Sequence, residues 1–442
     1  MKLFILFLFF ASGLFARDIT LAEAEQRALK NNLQIKMSEA SLNKAKASSR
    51  ESIANFFPTI SSYYQLTDNL ELPVMVIDFD GDGPQPPQEL RMGKQYSSTA
   101  GVDLTYPVFT GGAIINGQLA AASMVDLSEL SLQDQVNTVI HTIRSLYYQA
   151  QMLESMIAAM EMGLQSAKQN YELAEKQLSA GKSTRLDMLQ AKVRYESYKP
   201  QLISLKNQRV SALTNLKTYI NDPGIDSLSI VGKLDKIENP YDGLDIDDLL
   251  QISRNERLDL LMAEEQRRIA GYQRNIAWSN IMPKVQLGSG IQWQANTDEF
   301  SDFDHIRSSS ISLSVSLPLF SGGKNAAGIQ KAIIGVREAN YRYEQTENYI
   351  YSDVDAAYRK VNETLSSINA NNDVVRQAEE ALRLSKLLYE TGSATQLELM
   401  SAESNYLSAK SNYIQSVFEY NLAVETLKKT LNNLSRYNGE TR

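Results

Sequence analysis

The chain has no cysteine among its 442 residues. This absence excludes disulfide frameworks, thiolate metal sites and cysteine nucleophiles, and it also excludes the lipidated N-terminal cysteine of a bacterial lipoprotein. Glycine and proline are scarce, with 22 and 11 residues. Because average chains contain roughly 12% of these two residues together, the composition favours long helices over all-β and α/β architectures. Acidic residues outnumber basic ones by 52 to 44, and the net charge of -8 disfavours nucleic acid as a partner.

Residues 1–16 have the pattern of a secretory signal peptide. Lys2 precedes the apolar run from Leu3 to Phe10, and a short series of small and apolar residues ends at Ala16. The run is too short to span a bilayer as a helix, and no later stretch of the sequence holds about 18 consecutive apolar residues. We therefore expect export from the cytoplasm after cleavage near Ala16, with a buried helix or an anchor as the alternative. Any membrane crossing would then be made by strands.

An internal duplication organises the chain. Residues 107–112, Pro-Val-Phe-Thr-Gly-Gly, recur as Pro-Leu-Phe-Ser-Gly-Gly at residues 318–323, which is a shift of 211 residues. The same shift carries Gly181, Thr184, Leu186 and Asp187 onto Gly392, Thr395, Leu397 and Glu398. A match of this length without a gap indicates that a regular structure excludes insertions. We predict a signal peptide at 1–16, a first repeat at 17–220, a linker at 221–245, a second repeat at 246–433 and a C-terminal tail at 434–442.

Within each repeat, a seven-residue apolar period predicts one long helix. Apolar or small residues alternate in steps of three and four from Val139 to Leu178, and a looser version runs from Ile350 to Tyr389. A period of seven sustained over this length indicates a supercoiled helical seam. Additional apolar residues beside the first seam, including Ile140 and Tyr147, predict a second contact stripe. A helix with two stripes has neighbours on both sides.

Each long helix is expected to end at a glycine turn. Gly181 and Gly392 can adopt the left-handed conformation of a helix C-terminus, and Thr184 and Thr395 can cap the helix that follows. Shorter helical patterns occupy residues 21–55, 185–219, 246–279 and 396–433. Two helices of about 35 residues match one of about 70 in length. Each repeat is therefore predicted to place one long helix antiparallel to a pair of half-length helices, joined to strands at Pro107, Gly111 and Gly112 and at Pro318, Gly322 and Gly323.

Four segments between the helices alternate apolar and polar residues, as strands do. Ile311, Leu313 and Val315 alternate with serines, and residues 283–294 and 101–106 repeat the pattern, while residues 58–67 show it less clearly. Strands of about ten residues with one apolar face are typical of outer-membrane barrels, although a half-buried soluble sheet is the alternative. Bacterial barrels need at least eight strands, so a four-stranded chain in lipid has to oligomerise to pair its edges.

Further segments accompany the duplicated junctions: residues 171–191 and 389–402 around the glycine turns, residues 21–33, and Pro58 and Pro283. Together, these residues resemble the outer membrane efflux protein family, the TolC-like channels. The resemblance covers essentially the whole mature chain. It implies a homotrimer in outer-membrane lipid, with a twelve-stranded barrel, a helical barrel in the periplasm and an equatorial collar that includes residues 221–245. It also implies docking of a periplasmic adaptor at the turn residues Gly181, Thr184, Gly392 and Thr395, an inner-membrane pump, and export of drugs, metal ions or polypeptides by efflux or type I secretion.

The resemblance also implies a periplasmic gate at the turn-proximal helix ends, which family members narrow with acidic residues. That role falls on Glu398 and Asp187, while Ser401 stands where a second acid would complete a double ring. Ala394 stands where some members have an arginine, with Arg185 as the candidate substitute. A threefold ring of Glu398 would concentrate cations and repel anions. The alternative is that Glu398 and Asp187 only stabilise the N-terminal ends of their helices.

Other features of the sequence carry weaker signals for chemistry. A calcium-loop pattern is formed by Asp78, Asp80, Asp82 and Glu89, but three prolines interrupt it, so an acidic surface loop is the preferred interpretation. The two histidines, His141 and His305, have no second ligand at metal spacing. No Ser-His-Asp constellation or phosphate-binding glycine loop is found in the sequence. We therefore expect a protein that is not an enzyme and uses no cofactor.

Two other protein classes share part of these patterns. A periplasmic coiled-coil adaptor also has helical hairpins, but a lipoyl-like sandwich split around one hairpin would replace the duplication. A trimeric surface-structural protein shares the heptads, but it lacks glycine turns that reverse the chain twice. The exported substrate leaves no signal in the sequence, because a wide polar conduit needs no specific pocket.

Overall fold

The computed structural model describes residues 17–77, 88–222 and 228–432. Three sequence predictions lie outside the described residues: the signal peptide at 1–16, the calcium-loop acids Asp78, Asp80 and Asp82 with the side chain of Glu89, and the tail at 434–442. Within the described ranges, no helix combines the length and the apolar character needed to cross a membrane.

The described chain is mostly helical. In chain order the helices are α1 (Leu21–Asn31), α2 (Leu33–Ala54), α3 (Ala113–Ser179), α4 (Arg185–Ile220), α5 (Ile246–Glu256), α6 (Leu258–Ser279), α7 (Lys324–Glu390) and α8 (Gln396–Thr430). The two long helices predicted from the heptads are α3 and α7, and each has 67 residues. The duplication is therefore visible in the lengths of the elements.

The segments predicted as single helices at 21–55 and 246–279 are each divided in two, which corrects the prediction. Asn32 interrupts the first, because its side-chain oxygen accepts a hydrogen bond from the backbone N–H of Gln34 at 2.8 Å and so begins a new helix. Arg257 interrupts the second with an extended backbone. Both breaks preserve the apolar period on either side, which is why periodicity alone did not reveal them.

Eight strands occur in the described residues: β1 (Arg17–Ile19), β2 (Thr59–Asp68), β3 (Val74–Ile77), β4 (Gln88–Arg91), β5 (Tyr96–Phe109), β6 (Leu228–Ile230), β7 (Lys284–Thr297) and β8 (Ile306–Ser316). The four predicted strands form one antiparallel sheet in the order β2-β5-β7-β8. The parallel pair β1-β6 and the hairpin β3-β4 were not predicted. Strands of three or four residues are too short for a period of two to stand out.

The chain divides into two compact units, and each draws on both predicted repeats. The helical unit comprises Met1–Leu42, Ser128–Ala263 and Tyr343–Arg442, and the sheet unit comprises Asn43–Leu127 and Glu264–Arg342.

The core of the helical unit follows the predicted seams. Every residue of the first seam is buried or half-buried: Val139, Ile143, Leu146, Ala150, Leu153, Ile157, Met160, Leu164, Ala167, Tyr171, Ala174 and Leu178. One apolar cluster joins α3 with α1 and α4, and a second joins α7 with α5 and α8. The second stripe is also confirmed, because Ile140 and Tyr147 are buried. The Tyr147 hydroxyl lies 2.7 Å from the carbonyl oxygen of Val231 and 3.1 Å from that of Ile19, so it anchors the β1-β6 pair to α3.

The sheet unit carries the two faces that the alternation predicted. Paired residues lie on the same face of a sheet, and Leu287 is paired with both Tyr106 and Leu313 in an apolar row. On the opposite face, Asp103 is paired with Gly290, whose added Cβ would lie 2.5 Å from the Asp103 Oδ1 atom. The edge strands are β2 and β8, and every residue of β8 is exposed. As far as the structure describes the chain, the sheet therefore presents two unpaired edges and an uncovered apolar face.

Candidate functional site at the glycine turns

Both glycine turns lie in the helical unit and have the geometry expected of helix C-termini. Gly181 has a φ of 68°, and the following Lys182 donates its N–H to the carbonyl oxygen of Gln177 at 2.8 Å. Gly392 has a φ of 77°, and Ser393 donates to Leu388 at 2.8 Å. Nothing lies within 4 Å of a Cβ placed on either glycine. Backbone conformation, not lack of space, therefore requires glycine at both turns.

Each turn leads into a capping box. The Thr184 side chain accepts the N–H of Asp187 at 3.2 Å, and the Asp187 carboxylate accepts the N–H of Thr184 at 3.1 Å. The second turn repeats the arrangement, with Glu398 donating to the Thr395 hydroxyl oxygen at 3.3 Å and accepting from the Thr395 N–H at 2.7 Å. These paired bonds satisfy donors that a helix N-terminus otherwise leaves free.

The capping bonds lower the pKa of both acids. For Asp187 the main cause is the hydrogen bond from the Thr184 side chain, followed by the one from the Thr184 backbone. For Glu398 the main cause is the hydrogen bond from the Thr395 backbone, followed by its side chain. Both carboxylates are therefore held ionised at neutral pH. Within one chain, the contacts of the two acids are those of helix caps, and a ring of Glu398 residues would involve further copies.

The other predicted gate residues are not brought into this cluster. Arg185 and Ser401 are both exposed. In the described part of the chain, Arg185 forms no ion pair with Asp187 or Glu398. Roles for these two residues stay predictions.

Tyr389, near the second glycine turn, is affected by the charge of Asp187 at the first turn, a relationship that the sequence patterns did not predict. It lies three residues before Gly392, is buried, and its hydroxyl has no hydrogen-bond partner in the structure. Burial raises the pKa of the Tyr389 phenol, and the negative charge of Asp187 at the first turn raises it further. The sequence patterns place Tyr389 in the looser seam and in residues 389–402, which carry the family resemblance, and they assign it no separate role at the turns. A large aromatic side chain three residues before the turn glycine was the signal that could have identified it.

The tips of both turns also expose an equivalent apolar side chain. Leu186 is 64% exposed and Leu397 is 65% exposed. The two leucines are related by the same 211-residue shift as the glycines. Each follows the capping threonine by two residues, so the turns present matching surfaces.

The strand–helix junctions lie in the sheet unit. Gly111, Gly112, Gly322 and Gly323 all have positive φ and precede α3 and α7 directly. At Gly111 an added Cβ would lie 2.6 Å from the Met282 Cβ, whereas Gly322 has open space around it. The sheet register shifts between Pro107 and Phe109, while Pro318 follows the end of β8. The two junctions therefore have the same backbone conformation at their glycines, but they differ in how tightly the surrounding residues pack.

Each histidine ring lies within hydrogen-bonding distance of a hydroxyl group. The Nε2 atom of His141 lies 3.2 Å from the Thr426 hydroxyl, and that of His305 lies 3.3 Å from the Ser98 hydroxyl. Among the residues that the structure describes, no three acidic or histidine side chains are grouped to hold a metal ion.

Comparison with known proteins identifies the family. The model of the family described as outer membrane efflux protein matches residues 24–222 and 249–433. The outer membrane efflux protein BepC of Brucella suis is 22% identical over 400 residues, covering 89% of this chain and 81% of BepC. The cation efflux system protein CusC of Escherichia coli is 23% identical over 307 residues, covering 68% of this chain and 62% of CusC.

A solved structure shows the same fold. The outer membrane protein VceC of Vibrio cholerae matches with a TM-score of 0.76 and 20% sequence identity, covering 93% of this chain and 96% of VceC. The predicted fold class, a mainly helical TolC-like chain with a small set of strands, is confirmed by this match. The chain belongs to the outer membrane efflux protein family, whose members are outer-membrane channel proteins.

Proposed function

We propose that three copies of this chain form a channel across the outer membrane, which exports substrates received from the periplasmic side. The sheet unit supplies the membrane wall and the helical unit lies in the periplasm. The observation that carries the proposal is the four-stranded sheet with two unpaired edges, one polar face and one uncovered apolar face.

The edges argue for assembly. A lipid environment offers no hydrogen-bond partners, so the free backbone groups of β2 and β8 need another strand. Four strands fall short of the eight that the smallest bacterial barrels contain, and three copies supply twelve. Ile311 on β8 is 80% exposed and would face lipid, while the serines and glycines of the opposite face would line a polar lumen.

The exposed side chains of α7 support contacts between copies. Tyr341, Tyr349 and Tyr351 are large, and all three are exposed in the single chain. Aromatic residues are enriched in interfaces between proteins. In a trimer these side chains would pack against helices of the neighbouring copies.

The glycine turns are the proposed periplasmic end. Leu186 and Leu397 would provide matching apolar contacts for a periplasmic adaptor. The surrounding surface is formed by the turn residues Gly181, Thr184, Gly392 and Thr395. The same end is the proposed gate, where three Glu398 carboxylates would form an acidic ring and Asp187 would lie beside it. Glu398 keeps its negative charge while it caps α8, so capping and ring are compatible roles.

The cargo is proposed only as a class. BepC is named as an efflux protein and CusC as a cation efflux protein, which favours small molecules or metal ions passed on by an inner-membrane pump. Polypeptide export by type I secretion is the second candidate. Family membership argues against the periplasmic adaptor and the surface-structural protein.

The test is ion conductance of the purified full chain in a planar bilayer, together with its oligomeric state in detergent. We expect a trimer that conducts. A stable monomer that remains in the aqueous fraction and gives no current would overturn the proposal.

A further inference from the structure

The polar face of the sheet unit carries a single charge near its middle. The charged side chains of β2, β5, β7 and β8 are Asp68, Asp103, Lys284 and Arg307. Because side chains alternate between the faces of a sheet, the register places Asp68 and Arg307 on the apolar face and Asp103 and Lys284 on the polar face. Lys284 is the first residue of β7, whereas Asp103 lies near the middle of β5. Of the residues in these four strands, only Asp103 brings a charge to the interior of the polar face.

The neighbours of Asp103 on the polar face are small and uncharged. Asp103 is paired with Ser61 on β2 and with Gly290 on β7, and Gly290 is paired with Ser310 on β8. Lys284 precedes Gly290 by six residues, which is about 20 Å along a strand. At an ionic strength of about 0.1 M this distance is about twice the Debye length of about 10 Å, so the charge of Lys284 is largely screened at Asp103. No basic side chain within the four strands therefore neutralises Asp103.

The Asp103 carboxylate lies over the backbone of β7. A Cβ added to Gly290 would lie 2.5 Å from the Asp103 Oδ1 atom and 3.6 Å from its Cγ atom. Glycine at this position leaves the space that the carboxylate occupies. The Asp103 side chain consequently lies along the surface of the sheet instead of standing out from it. Its charge changes the electrostatic potential at the polar face without narrowing the space in front of that face.

We propose that the Asp103 side chains of three copies form a ring of negative charge within the membrane wall, and that this ring makes the wall section of the channel favour cations over anions. The inference rests on the proposed channel function, in which the polar face lines the lumen. Rings of charged side chains select ions of opposite sign in channels, and lumen-facing residues of barrels tune selectivity. The cargo that this section admits best is therefore positively charged, as metal cations and organic ammonium ions are. The Asp103 ring belongs to the sheet unit and is separate from the ring proposed for Glu398 in the helical unit.

The absence of cysteine allows the potential beside Asp103 to be measured with a single thiol. In Ser310→Cys, that thiol lies in the same cross-strand row as Asp103 and two strands away, at about 10 Å. The purified full chain is placed in lipid vesicles and treated with one of two methanethiosulfonates, which carry a trimethylammonium or a sulfonate group. The ratio of the two modification rates measures how much more readily cations than anions reach the thiol. Any effect of Asp103 on the reactivity of the thiol itself cancels in this ratio.

Removal of the Asp103 charge should lower the ratio of the cationic to the anionic rate. At an ionic strength of about 0.1 M, the ratio in Ser310→Cys/Asp103→Asn is expected to be about threefold or more below that in Ser310→Cys. Asparagine has nearly the shape of aspartate, so the variant keeps the contact with Gly290. The difference between the two proteins should disappear at about 1 M salt, where the Debye length is about 3 Å.

Matched controls lie on the same sheet. Asp68→Asn makes the same charge change at the last residue of β2, which is paired with Tyr96, seven residues or about 23 Å along the strand from Asp103. Combined with Ser310→Cys, this substitution should leave the ratio nearly unchanged. On the apolar face, Ile311→Cys should react with neither reagent, because lipid would cover it.

The Asp103 ring is supported when Asp103→Asn lowers the ratio at Ser310→Cys and Asp68→Asn does not. It is overturned if Asp103→Asn leaves the ratio unchanged, or if Asp68→Asn lowers the ratio equally. A different result tests the proposed function: if Ser310→Cys reacts with neither reagent, or if Ile311→Cys reacts as fast as Ser310→Cys, the sheet does not separate lipid from a lumen. The channel proposal then fails, and the ring fails with it.

A second measurement decides the matter should Asp103→Asn not assemble. In Ser310→Cys with Asp103 present, the rate ratio should fall about threefold between about 0.1 M and about 1 M salt, because added salt screens the carboxylate. A rate ratio that does not depend on salt would contradict the Asp103 ring.

Discussion

Arg144 of α3 and Glu425 of α8 form an ion pair with an N–O distance of 2.6 Å, and the Glu425 side chain is only 2% exposed. The same guanidinium binds Glu25 of α1 at 2.7 Å. Three helices are thus held by one arginine, and a buried carboxylate depends on it.

Replacement of Arg144 by methionine is expected to destabilise the fold by about 3 kcal/mol, because removing one partner leaves a buried charge uncompensated. Lys428, which lies 2.9 Å from Glu425, provides the remaining compensation. The measurement is the shift of the unfolding midpoint in denaturant. The control is Arg359→Met, whose partner Asp355 lies on the same helix at an exposed site, and which should leave the midpoint nearly unchanged. Equal shifts in both variants would contradict the prediction that the ion pairs of Arg144 contribute more to stability than the exposed ion pair of Arg359.

Alanine at Gly181 or Gly392 is expected to lower the free energy of unfolding by about 1–2 kcal/mol, since an L-residue in the left-handed conformation is strained even where space is open. Gly271, inside α6, supplies a control at which alanine is expected to raise stability instead of lowering it. Nothing lies within 4 Å of its added Cβ, and alanine should stabilise a helix interior by about 0.5–1 kcal/mol. Unfolding midpoints of the three variants test this. A neutral result at both turns would argue against the conformational requirement.

The Glu398→Gln variant distinguishes a role of the Glu398 charge in a gate from the role of Glu398 as a helix cap. Glutamine can serve at this position of a capping box, so the α8 cap survives while the charge is removed. If three Glu398 residues form a ring, conductance should rise or block by divalent cations should weaken. Asp187→Asn makes the corresponding change at the first turn. Unchanged conductance and unchanged block in Glu398→Gln would remove the ring and leave only the cap.

The stability of the helical unit should depend on pH through His141. Burial lowers the pKa of this imidazole, and the positive charges of Lys429 on α8 and Arg144 on α3 lower it further, against the effect of Glu425. The unfolded chain then binds a proton at a higher pH than the folded chain does. Stability should therefore fall as the pH drops below about 6.5, the ordinary value for histidine.

The variant His141→Gln isolates this effect, because it keeps a polar side chain opposite Thr426 but does not titrate. Its unfolding midpoint should decline less between pH 7 and pH 5 than that of the unsubstituted chain. The same decline in both proteins would assign the pH dependence to other groups.

Local patterns allowed much of the fold to be predicted. The seam from Val139 to Leu178 is buried or half-buried because a seven-residue period places those side chains on one side of a helix whatever its partner is. The capping threonines and turn glycines were identified for the same reason, since their hydrogen bonds join residues within one or two turns. The two faces of β5, β7 and β8 follow from the period of two along a strand.

By itself, the sequence determined the features that depend on near neighbours: the long helices, their turns and caps, and the polar and apolar faces of the strands. Only the tertiary structure decided which distant groups meet. The Glu403 contact with Ser166 spans 237 residues and the Arg144 contact with Glu425 spans 281. Such pairs form because packing of α3 against α8 brings their side chains together, and no repeat or period along the chain encodes that distance.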